Sequence, residues 1–180
     1  NLMSKNSFKV LRPGINTTFQ DLGRNNLCHI GIPFSGAMDN RNFLLSNKLV
    51  KNNLNTPVIE FAYQGPHLKY HGEELNIAIT GDVSFKIKKK KEIINGSCYE
   101  SYLLEDNDEI DVYSTNKSVY GYLALGAELD LKFQWESCSI NTKANIGSNS
   151  GKKISAGQEF YIKKINKDHS KKKISYINTK

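Results

Sequence analysis

Val83-Ser84-Phe85-Lys86-Ile87-Lys88, running through Lys89-Lys90-Lys91 into Glu92-Ile93-Ile94, is the stretch that decides the fold class. Its apolar and polar residues alternate, which is the two-residue period of a strand with one face on a core and one in water. The lysine run supplies a turn and residues 92–94 a returning strand, so the segment predicts a β-hairpin with a solvated tip. The same punctuation repeats beyond it. Asn95-Gly96 gives a second turn signal, and Glu105-Asp106-Asn107-Asp108 a third between apolar runs at 99–104 and 110–113. Short strands spaced by regular turns predict a mainly β chain, a barrel or a sandwich.

One segment departs from this pattern. Residues 39–50 place Leu45 and Leu49 at i,i+4 beside Phe43 and Leu44, hold no internal glycine or proline, and meet a stop at Asn52-Asn53. Asp39 occupies the N-cap position, where its carboxylate can accept from the amide of Asn42. The loop Ser35-Gly36-Ala37-Met38 therefore opens a helix, and helix N-termini present backbone N–H groups to a ligand.

The formal charge of +7 is unevenly placed: residues 163–180 hold seven lysines against Asp168, a net +6, which leaves +1 for the other 162 residues. That distribution argues for a solvated basic tail or a truncated linker rather than a nucleic-acid face built into the fold. Within the tail Ile165, Ile174, Tyr176 and Ile177 are separated by charge, so no apolar partner is expected for them. The longest apolar run, residues 119–127, is too short for a bilayer span of about 20 residues. No membrane contact is predicted, and the N-terminus lacks the apolar core of a secretory signal. Cys28, Cys98 and Cys138 are isolated, as expected of reduced thiols in a cytoplasmic protein. His67 and His71 flank no helical metal motif, so no metal site is expected. Ser35 lacks the glycine-x-serine-x-glycine elbow and a motif-placed histidine, which argues against serine catalysis. No phosphate-cradling loop of the G-x-x-x-x-G-K type occurs either.

Several short motifs, in order, carry a resemblance. They are Arg12-Pro13-Gly14, Thr17-Thr18-Phe19-Gln20-Asp21-Leu22-Gly23-Arg24, Ser35-Gly36-Ala37-Met38-Asp39, Glu60, Gly65-Pro66, Ile79-Thr80-Gly81-Asp82, Gly121-Tyr122-Leu123-Ala124, Ala144-Asn145-Ile146-Gly147 and Ile154-Ser155-Ala156-Gly157. Together they resemble the first half of the biotin-dependent carboxyltransferase family, which includes the C component of 5-oxoprolinase, the second subunit of allophanate hydrolase and the carboxyltransferase part of urea carboxylase. The resemblance implies a cyclophilin-like β-barrel with one or two flanking helices over residues 1–162, and a second related domain that has no counterpart after Ile162. It implies an ATP-dependent opening of 5-oxoproline to glutamate, or carboxyl transfer to urea or a similar amide. ATP would act through the complex, or carboxybiotin on a partner; the partners would be a KipI-like protein, the B component of such a complex, and a small amide or lactam. Two departures stand out: Asn25-Asn26 replaces the family's proline-glycine pair after Arg24, and residues 137–146 lack its arginine.

Residue chemistry then nominates roles. Arg24 could hold a carboxylate or oxyanion by its planar fork, Asp39 could take a proton or orient an N–H, and Glu60 could do either if burial raises its pKa. Gln20, Ser35, Gly36, Ala37 and Met38 are the substrate-binding candidates. Structural roles compete with each: Asp39 as a cap, Glu60 as a satisfied polar residue in a strand, and Arg24 as a partner of Asp21 across the turn at Gly23. A regulatory module of the kinase-inhibitor-antagonist (KipA-like) type, or a nucleic-acid binder using the lysine tail, are the rival functional readings.

Overall fold

The computed structural model describes residues 5–24 and 26–175. In chain order its elements are β1 (Ser7–Arg12), β2 (Thr18–Gln20), the helix α1 (Asn40–Leu49), β3 (Val58–Ala62), β4 (His67–His71), β5 (Leu75–Thr80), β6 (Val83–Lys88), β7 (Ile93–Asn95), β8 (Ser101–Leu104), β9 (Glu109–Thr115), β10 (Tyr120–Leu125), β11 (Ala127–Leu129) and β12 (Glu159–Ile165). The strands form two antiparallel sheets, one ordered β11-β12-β1-β4-β9-β6-β7 and the other β2-β3-β10-β5-β8. Neither sheet closes on itself. The mainly β expectation with one flanking α-helix holds.

The two sheets share one core. Phe8 and Val10 of β1 and Leu68 and Tyr70 of β4 meet Ile59 and Phe61 of β3 and Ile77 and Ile79 of β5. The five-stranded sheet is covered on its other face as well, by α1. There Phe43 and Leu49 pack on Val58, Ala78, Tyr122 and Ala124, and the alanines keep the sheet surface low enough for the helix to approach. Burial on both faces explains why β5, Leu75–Thr80, is buried at every position and shows no alternation.

The hairpin forms as expected, with Ile87 opposite Ile94 and the Lys89 N–H bonded to the Glu92 carbonyl at 2.9 Å. Its tip is only partly solvated. Lys88 pairs with Asp111 at 3.2 Å, and Lys89 reaches Glu105 at 3.3 Å and also contacts Asp108, which leaves Lys90 and Lys91 in water.

The expected tail is also corrected where it is described. β12 runs past Ile162 to Ile165, which is buried in the shared core. Beyond it Asn166 donates to the Gly126 carbonyl at 2.8 Å, the Lys172 carbonyl accepts from the Ser101 N–H at 2.8 Å, and Ile174 packs beside the helix cluster while its N–H reaches Tyr99. Alternation fails here for a local reason: the register between β11 and β12 shifts after Glu128, so Lys163 and Lys164 both face out before Ile165 turns in. Tyr176 and Ile177 lie outside the described residues. Truncation after Ile165 is therefore expected to lower Tm by several degrees, since each lost hydrogen bond is worth about 1 kcal/mol. A thermal melt checks it.

Candidate functional site

The register of three strands sets a row of polar side chains on the helix-facing side of the smaller sheet. Thr18 lies opposite Glu60, Glu60 opposite Tyr122, and Tyr122 opposite Thr80. Thr80 closes the row by donating to the Asn42 carbonyl of α1 at 2.7 Å. At the open end, where α1 does not cover the sheet, a cleft of about 600 Å³ lies over Thr18, Gln20 and Glu60, with Ser35, Gly36 and Met38 on one wall. Five of the eight nominated residues thus line one cleft. Arg24, Ala37 and Asp39 are not on its lining.

Glu60 is 6% exposed. Its Oε2 accepts from the Met38 N–H at 2.9 Å and from the Tyr122 hydroxyl at 2.7 Å, while Oε1 has no hydrogen-bond partner among the described residues. Burial raises its pKa above the ordinary carboxylate value, the two donors oppose that shift, and the nearby Asp39 charge adds to it. Gln20, 4% exposed, donates through Nε2 to Thr18 Oγ1 at 2.9 Å and to the Ile140 carbonyl at 3.0 Å. Its Oε1 is buried without a partner. An orphaned buried carbonyl costs about 1–3 kcal/mol, a cost that a ligand N–H in the cleft would remove.

The loop before the helix spends most of its N–H groups internally. Ala37 donates to the Asp21 carbonyl at 3.0 Å, Met38 to Glu60, and Asp39 to the Tyr122 hydroxyl at 2.8 Å. Asp39 caps α1, accepting from the Asn42 N–H at 3.1 Å and from the Asn42 side-chain amide at 2.8 Å. The expectation of a row of free donors is corrected accordingly. Gly36 on the cleft wall has a structural reason of its own: at φ 151°, a Cβ there would sit 2.7 Å from the Leu22 carbonyl oxygen, so the glycine permits a backbone crossing. Gly36→Ala should destabilise the domain by about 1–3 kcal/mol, read as a lowered Tm.

Arg24 is 3% exposed and holds protein, not solvent. Nε donates to the Gln134 carbonyl at 2.7 Å, one terminal nitrogen to Ser35 Oγ at 2.7 Å and to the Ser139 carbonyl at 2.8 Å, and the other to the Ser137 carbonyl at 2.6 Å. Asp21 grips the same segment from the far side of the turn. It accepts from the Gly23 N–H at 2.8 Å, the Cys138 N–H at 2.9 Å and both serine hydroxyls, Ser137 and Ser139. Asp21 and Arg24 do not pair directly; they clamp residues 134–139 between them and so place the Ile140 carbonyl that holds Gln20. Cys138 lies inside this clamp, where burial and then the Asp21 charge push its thiol far above the usual range.

The sequence does not nominate Tyr122, which holds Glu60, or the exposed Lys143 and Lys153 on the cleft lining. Tyr122 is legible as part of a strand motif, and its role appears only once register places it beside Glu60. Nothing in the spacing of the two lysines points to one cleft. No group of three or more metal-binding side chains occurs among the described residues, and no helix among them is long and apolar enough to cross a membrane.

Comparison with known proteins places the chain in a family. A family model described as the carboxyltransferase domain, subdomain A and B, matches residues 30–179. The 5-oxoprolinase C subunit of Haemophilus influenzae is 30% identical over 143 residues, covering 79% of this chain and 45% of that protein. The urea amidolyase of Lachancea kluyveri is 29% identical over 157 residues, 87% of this chain and 8% of that protein. The crystal structure of Kluyveromyces lactis urea carboxylase superposes with a TM-score of 0.82 at 30% identity, over 90% of this chain and 14% of that one. The chain spans less than half the length of each.

Proposed function

This chain belongs to the family of carboxyltransferase domains, subdomain A and B, and on that premise we propose that it is a component of an ATP-dependent enzyme that processes a small amide or lactam. 5-Oxoproline opened to glutamate, as the name of the Haemophilus relative suggests, is the favoured reaction, and carboxyl transfer to urea or a similar amide the related one. The observation that carries the reading is the buried, unpartnered Oε1 of Gln20, a residue that lines the same cleft as Glu60. A planar amide offers N–H groups that satisfy acceptors of this kind.

Glu60 is the proton acceptor in this scheme. The substrate N–H bond breaks as an O–H bond forms on Oε1, and the electron pair stays on the amide nitrogen. A carboxylate whose pKa burial has raised suits this work better than an exposed one. Lys143 and Lys153 supply ammonium groups at the rim for an anionic group, the carboxylate of carboxybiotin or a phosphate of ATP. Ser35 is fixed by Arg24 and forms the wall. Asp39 caps the helix whose first turn orients Tyr122, and Arg24 acts through the loop it clamps.

Partner proteins complete the enzyme in the cytoplasm, a KipI-like B component among them. The test is co-expression with the proteins encoded beside it and two assays of the purified assembly. ATP-dependent release of glutamate from 5-oxoproline supports the first reaction, and biotin-dependent carboxylation of urea the second. An assembly that forms and does neither favours the regulatory, KipA-like reading.

A further inference from the structure

Tyr122 carries a buried hydroxyl that takes no proton in this chemistry. The residue is fully buried on β10, directly opposite Glu60 of β3, with its ring edge-on to Phe43 of α1 at 6.4 Å between centroids. The ring has no room to swing. Its oxygen accepts from the Asp39 N–H at 2.8 Å, and that bond leaves its single proton directed at Glu60 Oε2, 2.7 Å away. Burial, and then the Glu60 charge, hold the phenol far above its usual pKa, so it stays a donor at every working pH.

We propose that Tyr122 is a positioning residue for the cleft carboxylate: with the Met38 amide it engages Oε2 of Glu60 and leaves Oε1 as the acceptor toward the cleft. This rests on the reading of Glu60 as the group that meets the substrate. The two donors arrive from different elements, Met38 from the loop before α1 and Tyr122 from the strand beside Glu60. Both are fixed before any ligand arrives, which is the preorganisation that a charge-bearing site requires. Other charges around Glu60 are few. Asp39 at the N-cap disfavours its ionised form, Lys143 and Lys153 at the rim bear the opposite charge, and Thr18 and Gln20 from β2 are neutral.

The Met38 amide makes the proposal measurable in the chain itself, because its N–H bond to Oε2 reports the charge on Glu60. In ¹H–¹⁵N spectra recorded against pH, the Met38 signal should titrate with a midpoint above the ordinary glutamate value, and Glu60→Gln should abolish that titration. Tyr122→Phe removes one donor to the charged form and should move the midpoint up by about one pH unit. Incorporating 3,5-difluorotyrosine at position 122, a stronger donor of nearly the same volume, should move it down, which keeps the test decisive if Tyr122→Phe does not fold. Midpoints unchanged in both folded variants would overturn the proposal. In the active assembly the acid limb of kcat/KM should follow the same shifts. An assembly without turnover whose midpoints still move would refute the amide-processing function and leave the positioning role standing.

Discussion

Glu60→Gln in the assembled enzyme should lower kcat by about 10² or more while leaving the fold in place. The glutamine carbonyl can still accept from the Met38 amide and the Tyr122 hydroxyl, so both hydrogen bonds on Oε2 have a successor. What disappears is a group able to take a proton, and general-base assistance is worth about 10²–10⁴ in rate. The melt of the variant should stay within a few degrees of the parent, because removing a buried charge relieves a desolvation cost as it alters two bonds. Wild-type turnover in Glu60→Gln would remove Glu60 from the chemistry. The pH profile supplies an independent check: because burial raises the Glu60 pKa, the carboxylate form that accepts a proton is lost as pH falls through that raised value. Activity should accordingly fail on the acid side before an exposed glutamate would protonate.

The second large effect is on stability. Arg24→Met removes the guanidinium that satisfies the carbonyls of Gln134, Ser137 and Ser139 and the hydroxyl of Ser35. It also leaves Asp21, 1% exposed, without the nearby positive charge. Breaking a buried charge network by deleting one member costs about 3–5 kcal/mol. In a domain of this size that corresponds to a Tm lower by on the order of 10 °C. If Arg24 instead served to contact substrate, the variant would melt like the parent and lose only KM or kcat. Thermal denaturation beside substrate affinity separates the two.

Local features are legible in the sequence because their causes are local. The cap at Asp39 needs only an amide three residues on, and the hairpin at 83–94 needs only alternation and a turn. Gln20 and Glu60 follow from residue type and motif order, and both line the cleft. Arg24 reads as a ligand contact in the sequence, yet its backbone acceptors lie more than a hundred residues away in 134–139, and no local pattern encodes that meeting. The structural constraint on Gly36 is hidden in the same way: the Leu22 carbonyl that forbids a side chain there belongs to a different turn. The tail misleads because a register shift breaks its alternation at Lys163 and Lys164, and because Ile174 finds its partners on α1's side of the sheet.

The central claim is that the cleft over Gln20 and Glu60 receives the substrate amide. The direct measurement is a crystal structure of the assembled enzyme with its amide or lactam substrate bound. The account predicts a substrate N–H within hydrogen-bond distance of Gln20 Oε1 and the reacting nitrogen beside Glu60 Oε1, with any carboxylate of the substrate toward Lys143 or Lys153. Substrate seated elsewhere, with Gln20 Oε1 still unpartnered and Glu60 untouched, would contradict it.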